Sequence, residues 1–473
     1  MDCRTIRSFV LFGLAACAVA AAQETPIPTA TELSGRPFTI KDKWVIGGTG
    51  DWDYLTLDPT ARQLFIAHGQ TVQVVDIGSG SVVGTVTGFR QAHAVVLDNP
   101  GPYGYGTDGA DISVPLESGV RAVAKRGKRF AGGVKVFDRR TFAAVTTILT
   151  RPSLRELALE PQTGLLFALG TDLSTLPPKP EPPSPRHPVN RPVARNMEQI
   201  PAQAGQPQAQ TLPCGSTTSG ERMPESVISV IDPQKQRETV DIRVCGLLGS
   251  AAPDGTGGLY VIFTSRNMAA RLDASALAHM LAPSDTGPKT AKIAGMQYVY
   301  DDVAEWDWRP QTSVAAHLGD VLPQLRTIGL SDCSEPHGLA VDSRQNRLFV
   351  GCNNMKLVVV DSNSGASIAS FIIGLGTDSV AYDGARGLIF TANGGGYGSV
   401  TIARQHVTDT YAVIQNLPTL QQARTMAIDP STGLVYLVTT LYGANLANPP
   451  MNGIGKLQMN PVGGSFQVLV IGN

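Results

Sequence analysis

The sequence is poor in charged and aromatic residues. Only 16% of its 473 residues are charged, 6% are aromatic, and the formal net charge at pH 7 is −1. A chain without a basic excess has no global attraction for nucleic acid or acidic membranes, so nucleic acid is not an expected partner. Glycine (50) and proline (33) are abundant instead. This balance is typical of a loop-rich, all-β protein rather than a helical one.

The chain also lacks metal-binding cysteine spacings and long apolar runs. It contains six cysteines and no C-x-x-C pair, which makes a structural zinc site the weaker interpretation of them. No haem-attachment motif and no Ser-His-Asp signature are present. The apolar stretch at residues 8–16 is too short to cross a bilayer core of about 30 Å, so no transmembrane segment is expected in the mature chain.

The first 22 residues have the pattern of an export signal. Arg4 and Arg7 precede the apolar stretch, and small residues end at Ala22. The pattern predicts a signal peptide over 1–22, a linker over 23–36 and a periplasmic or secreted protein. Residues 14–17 resemble a lipobox, so lipoprotein anchoring through Cys17 is the alternative.

Export favours disulfides among the four cysteines that remain after cleavage. Cys333 precedes the first strand of a sequence repeat and Cys352 ends the second. Antiparallel neighbours bring those two ends together, which predicts a Cys333–Cys352 bond. Cys214 and Cys245 are then paired by elimination.

One spacing recurs along the chain: a residue at the start of an alternating apolar run is followed twelve residues later by an aromatic. Repeats of about 40 residues with several short strands indicate a β-propeller or a solenoid. The pairs are Asp53/Phe65, His93/Tyr105, Arg155/Phe167, Leu248/Tyr260, His337/Phe349, Asp378/Phe390 and Arg424/Tyr436.

Each repeat contains four candidate strands, as residues 336–374 illustrate. The prediction is an all-β fold: a seven-bladed β-propeller over 37–473, with four-stranded antiparallel blades and long loop insertions at 109–132, 171–224 and 274–323. The segments near residues 38–47 and 465–472 both resemble fourth strands. One should complete the last blade and the other should add to its edge, which closes the ring. A monomer is expected.

Two segments resemble a known family. Residues 348–353 (LFVGCN) and 389–393 (IFTAN) look like YVTN repeats, and the chain is similar to YncE-like seven-bladed propellers of bacterial envelopes over about residues 38–473. The resemblance implies the fold and an envelope location. It carries no catalytic motif to this sequence, so catalysis, cofactors and ligand stay open.

The starts of the first strands should line the mouth of the central channel. We call this set the channel ring and predict that its polar members bind a ligand: Asp53, His93, Arg155, His337, Asp378 and Arg424, with Leu248 as the apolar seventh member and Glu156 and Glu335 beside it. The arginines suit a carboxylate or phosphate. Paired charges around a solvated polar channel are the structural alternative.

Two functions follow as hypotheses. The first is an exported propeller that binds a small ligand or a protein partner at the rim bearing the insertions. The second is a metal-assisted lyase, lactonase or hydrolase that uses the channel histidines and aspartates. The residues name neither the ligand nor a resident metal.

Overall fold

The chain folds as a seven-bladed β-propeller, which confirms the predicted fold class. The computed structural model describes residues 36–48, 50–109, 132–150, 154–171, 225–281, 289–293, 296–300, 326–407, 409–444 and 459–473. Each blade is a four-stranded antiparallel sheet, and the innermost strands contact one another in order until blade 7 returns to blade 1. The export signal, the linker up to residue 35, Cys214 and most of the three insertions lie outside the described residues.

Blades 1 to 6 each use four strands that follow one another in the sequence. From the channel outward they are, in blade 1, Trp52–Asp58, Gln63–His68, Thr71–Asp76 and Ser81–Val86; in blade 2, Ala92–Leu97, Tyr103–Asp108, Gly132–Asp138 and Ala144–Thr150; in blade 3, Leu154–Leu159, Leu166–Thr171, Glu225–Asp232 and Arg237–Cys245; in blade 4, Leu248–Pro253, Gly258–Phe263, Met268–Asp273 and Arg326–Gly329; in blade 5, Pro336–Asp342, Arg347–Cys352, Lys356–Asp361 and Ser367–Ile372; and in blade 6, Thr377–Asp383, Leu388–Asn393, Ser399–Gln405 and Tyr411–Pro418.

Blade 7 joins the two ends of the chain. Its strands from the channel outward are Met426–Ile428, Val435–Thr439, Gln467–Gly472 and Thr39–Val45. The prediction that both end segments belong to this blade is confirmed, but the C-terminal one takes the third position. Burial explains the order, because every residue of Gln467–Gly472 is buried whereas Thr39–Val45 is largely exposed.

The repeated aromatic fills the space between neighbouring blades. Phe349 pairs across its sheet with Ala340, and its ring packs on Tyr382 and Tyr411 of blade 6 at centroid distances of 4.7 and 5.9 Å. The small Ala340 leaves room for blade 6 to approach. Blade 1 repeats this arrangement, because Thr56 stands where Ala340 stands in blade 5 and pairs with the aromatic Phe65. The twelve-residue spacing therefore records how blades pack.

The acids that end the strands form turns. Asp76 and Asp361 end third strands, and their carboxylates accept hydrogen bonds from the amides two and three residues later. The hydroxyl of Ser79, foremost, lowers the pKa of Asp76, and the amide of Ser364 lowers that of Asp361. Acidic residues mimic a backbone turn in this way, so most of these repeated acids are structural.

The insertion after blade 4's third strand contains the one α-helix found in the described ranges, Ala274–Leu281, and a ribbon of Lys289–Ile293 with Met296–Tyr300. A 3₁₀ turn covers Thr264–Arg266 and a second ribbon pairs Tyr442–Ala444 with Met459–Pro461. No helix in the described parts of the chain is long and apolar enough to span a bilayer.

Cys333 and Cys352 are bonded, as the sequence predicted, with their Cα atoms 5.4 Å apart. Replacing both with alanine should lower the free energy of unfolding by about 3 kcal/mol, because the bond closes a loop of 19 residues and restricts the unfolded chain. Urea unfolding measures the loss, and non-reducing peptide mapping of exported protein detects the bond. Recovery of both residues as free thiols would contradict the assignment.

Candidate functional site

The channel ring is built on bulges in the innermost strands. In blades 1 to 6 the pairing with the second strand shifts register at the ring position, and a bulge of this kind bends the strand and redirects its side chains. In blade 7 the ring residue Arg424 comes just before the short first strand. The shifts lie between Trp52 and Leu55, Ala92 and Val95, Leu154 and Glu156, Leu248 and Ala251, Pro336 and Leu339, and Thr377 and Ser379.

Blade 4 corrects one predicted member of the ring. Tyr260 pairs with Ala252, whereas the twelve-residue spacing from Leu248 would pair it with Ala251. The first two strands of this blade are therefore joined by one residue fewer. Gly249, not Leu248, takes the ring position, so the ring has no side chain there.

Five ring residues on consecutive blades form an alternating series of cationic or imidazole groups and carboxylates. His93 Nδ1 lies 2.9 Å from Asp53 Oδ2, and Arg424 Nε lies 3.0 Å from Asp378 Oδ2. His337 is the fifth member, and its charge acts on Asp378. The series runs from blade 5 through blade 7 to blade 2, and each carboxylate has a basic group on a neighbouring blade.

Burial raises the pKa of Asp378 although two basic groups oppose it. Desolvation is the largest cause, Arg424 and His337 lower the pKa, and the charge of Asp53 raises it. Asp53 belongs to blade 1 and Asp378 to blade 6, so the charges of these two ring carboxylates interact past blade 7.

A second layer of side chains crosses the channel beside the ring. Tyr54, Glu156 and Ser250 follow the ring positions of blades 1, 3 and 4, and the side chains of Glu156 and Ser250 both act on the pKa of Tyr54. Tyr54 lowers the pKa of Glu156, and Ser250 lowers that of Tyr54. Three blades are thus linked by one polar chain, which we call the cross-channel chain.

The cross-channel chain holds a proton at neutral pH. Burial, helped by the charge of Asp53, raises the pKa of Glu156 to about 8, against the hydrogen bonds from Tyr54 and the Leu157 amide. Burial also raises the pKa of Tyr54 well above its ordinary value, and the charges of Glu156, Asp53 and Asp378 add to this. Glu156 and Tyr54 keep some contact with water. Both side chains are therefore partly exposed, while the surrounding protein still desolvates them.

Arg155 differs from the other basic members of the ring. It is exposed, and none of the ion pairs in the described part of the chain includes it. Its sequence neighbour Glu156 is neutral at pH 7, and the next ring position is Gly249. The ring therefore has one uncompensated guanidinium beside a position without a side chain.

Two connections between second and third strands begin against the ring, the insertion of blade 2 and the loop that follows Thr439 in blade 7. A Cβ atom on Gly109, where the blade 2 insertion starts, would lie 2.8 Å from the imidazole of His93. In blade 7, burial raises the pKa of Tyr442 and the charge of Arg424 opposes this. The carboxylate of Glu335, which was expected beside the ring, accepts a hydrogen bond from the side-chain amide of Asn353 at 2.6 Å.

The sequence prediction missed Tyr54, Ser250, Gly249 and Tyr442. The first two occupy the position directly after the ring residue, which also contains Glu156. Comparing that position across the seven repeats would have shown polar residues in five blades: Tyr54, Glu156, Ser250, Ser379 and Thr425. Gly249 was missed because the connection between the first two strands of blade 4 is one residue shorter, so the twelve-residue spacing indicated Leu248 instead. Tyr442 was missed because it belongs to a loop outside the repeat.

The metal hypothesis requires side chains that the described residues do not bring together. Nowhere among them do three or more histidine, cysteine, aspartate or glutamate side chains converge closely enough to hold a metal ion. His93 instead pairs with the ring carboxylate Asp53, and the charge of His337 acts on Asp378. The described ring is an arrangement of charge and hydrogen-bond donors, which suits the binding of a polar ligand.

No protein-family model and no curated protein match the sequence, while solved structures share its fold. A chain titled "Crystal Structure of Mitotic Checkpoint Complex" superposes with a TM-score of 0.51 and 11% identity, covering 91% of this chain and 96% of that one. "Structure of U3-55K" gives 0.52 and 7% over 90% and 97%. Identities this low show the propeller fold alone, and the YVTN resemblance stays a prediction.

Proposed function

We propose that this chain is an exported propeller that binds a small anionic ligand at the channel ring, on the rim where the second and third strands of each blade are connected and the insertions of blades 2 and 3 begin. The observation that carries the proposal is Arg155, an exposed guanidinium to which the described residues offer no carboxylate partner, beside the open position at Gly249. A guanidinium binds carboxylate or phosphate through paired N–H groups. The ligand supplies the negative charge that the ring lacks at this point.

The remaining ring residues support binding in a different way. Arg424 and His93 balance Asp378 and Asp53, so those carboxylates repel an incoming anion less than free ones would. Export is supported by the pattern of residues 1–22 and by the Cys333–Cys352 bond, since disulfides persist in oxidising compartments. Functional loops on one rim of a rigid scaffold are a common arrangement.

Replacing Arg155 with alanine should weaken anion binding about 10- to 100-fold. A hydrogen bond to a charged group contributes about 1.5–3 kcal/mol, and each 1.4 kcal/mol is tenfold in Kd. Calorimetric titration at pH 6.5 and low salt, with sulfate, phosphate and small mono- and dicarboxylates, measures the change.

Arg140→Ala is the matched control for this experiment. Arg140 is an exposed arginine in the turn between the last two strands of blade 2, on the opposite rim. This variant should bind as the wild type does, and both variants should keep the wild-type melting temperature. Equal affinity of Arg155→Ala and wild type, or no binding of any panel member by the wild type, would refute the proposal.

A further inference from the structure

An open cavity of about 480 Å³ lies between blades 5 and 6, on the rim opposite the channel ring. One wall is residues 344–347, where the first two strands of blade 5 are joined, and the other is residues 405–407, at the end of the third strand of blade 6. We call this cavity the blade 5–6 cleft. Its volume is within the range of about 300–1,000 Å³ that is usual for small-molecule sites.

One buried arginine fixes both walls of the cleft. Arg347 Nε and Nη2 bind the two carboxylate oxygens of Asp409 at 2.7 and 3.0 Å, which ties blade 5 to the turn of blade 6 that follows the cleft. Its Nη1 donates to the backbone carbonyl of Gln345 at 2.7 Å and to the carboxylate of Asp361. Because these bonds involve all three guanidinium nitrogens, Arg347 shapes the cleft rather than serving a ligand.

A reciprocal pair of side-chain amides also connects the walls. Gln405 Nε2 donates to Gln345 Oε1 at 2.9 Å, and Gln345 Nε2 donates to Gln405 Oε1 at 3.2 Å. The Tyr382 hydroxyl donates to the same Gln405 oxygen at 2.9 Å. Since an amide nitrogen carries two N–H groups, Gln345 keeps one that no described residue binds.

Two further side chains of the cleft have polar groups to which the described residues offer no partner. Arg344 is exposed, and its one hydrogen bond among those residues is that of its backbone amide to the Asp342 carboxylate at 3.0 Å. Nε2 of His406 is buried, yet nothing in the described ranges hydrogen-bonds to it. A buried polar atom without a partner is unfavourable, so a ligand that bonded to it would gain affinity.

We propose that the blade 5–6 cleft is a second ligand site, which binds the carboxylate or phosphate group of a small organic molecule. Arg344 supplies the charge, and the free N–H of Gln345 and the imidazole of His406 supply further hydrogen bonds. Val407, which lines the cleft and is 66% exposed, offers an apolar contact to the organic part.

The acids near the cleft are compatible with an anionic ligand because they are already paired. Both Asp361 and Asp409 form ion pairs with Arg347. The guanidinium of Arg344 has no such pair in the described part of the chain, so it is the charge left to a ligand. The cleft shares no residue with the channel ring and lies on the other rim, so the inference goes beyond the proposed function.

The test measures binding in the full chain carrying Arg155→Ala, which removes the guanidinium proposed to bind anions at the ring. Calorimetric titration at low salt uses inorganic phosphate, glycerol phosphate, acetate and succinate as probes. At least one organic probe should bind to this protein. Adding Arg344→Ala should increase its Kd about 10- to 100-fold, the loss expected when a charge-assisted hydrogen bond is removed.

Arg140→Ala is the matched control in the same background. Arg140 is exposed on the same rim, and its backbone amide donates to Asp138 at 2.9 Å as that of Arg344 does to Asp342, but it lies outside the cleft. Its replacement should leave the Kd unchanged. Equal Kd values for the Arg344→Ala and Arg140→Ala proteins, or no binding of any probe, would overturn the second site.

His406→Phe tests the buried side of the cleft. Phenylalanine keeps an aromatic ring but has no Nε2, so the Kd of the bound probe should increase about three- to tenfold. The melting temperature without ligand should not fall, because the atom that is removed has no protein partner to lose among the described residues. A lower melting temperature with an unchanged Kd would contradict the assignment of His406 to the ligand.

The ring and the cleft fail in distinguishable ways. If Arg155→Ala binds the probes as tightly as the wild type does, and Arg344→Ala abolishes this binding, the ring proposal is wrong and the cleft stands. If Arg155→Ala alone abolishes all binding, the cleft is overturned and the ring stands.

Discussion

Replacing Phe349 with alanine should lower the free energy of unfolding by about 4 kcal/mol. The Phe349 side chain has no exposed surface, and truncating a buried phenylalanine typically costs about 3–5 kcal/mol through lost apolar burial and the cavity left behind. The ring fills the boundary between blades 5 and 6 against Tyr382 and Tyr411. Those two neighbours come from the adjacent sheet and cannot easily collapse into the space.

Tyr397→Ala is the control for the Phe349 variant. Tyr397 is 96% exposed on a glycine-rich loop of blade 6, so its loss should change stability by less than about 0.5 kcal/mol. Urea unfolding followed by circular dichroism compares both variants with the wild type. If Phe349→Ala were as stable as Tyr397→Ala, the twelve-residue spacing would not be recording the packing between blades.

Replacing Phe38 with alanine should lower the free energy of unfolding by about 3 kcal/mol and weaken the closure of the ring. Phe38 is only 3% exposed and packs edge-on against Phe390 of blade 6 at 5.5 Å. Its backbone amide and carbonyl both hydrogen-bond to the Gln415 side chain, at 2.9 and 2.8 Å. This residue therefore fixes the N-terminal strand of blade 7 to the neighbouring blade.

Val45→Ala tests whether the effect belongs to Phe38 or to the strand in general. Val45 ends the strand that Phe38 directly precedes but is 67% exposed, so alanine there should change the free energy of unfolding by less than about 0.5 kcal/mol. Limited proteolysis at the N-terminus should accelerate in Phe38→Ala alone. Equal stability of the two variants would show that backbone pairing with Gln467–Gly472, rather than Phe38, holds the ring closed.

The number of blades and their internal order were predictable because each repeat encodes its own sheet. A blade forms from strands that are adjacent in sequence. The alternation of apolar residues, the acids that form turns and the aromatic twelve residues after the ring position therefore all act within one blade or at its border. The Asx-type turns after Asp76 and Asp361 and the pairing of Phe349 with Ala340 are results of this kind. The Cys333–Cys352 bond was predictable for the same reason, since antiparallel pairing within one blade brings the start of its first strand next to the end of its second.

The sequence by itself determined the repeat, the seven blades and the ring positions that open the first strands. Only the tertiary structure decided which charges meet, because partners such as Asp53 and His93 lie on different blades and no local pattern relates them. It also decided the ring member of blade 4, where one residue fewer shifts the register to Gly249. The cross-channel chain of Tyr54, Glu156 and Ser250 exists only when the ring is closed, and burial in that closed lumen keeps the proton on Glu156.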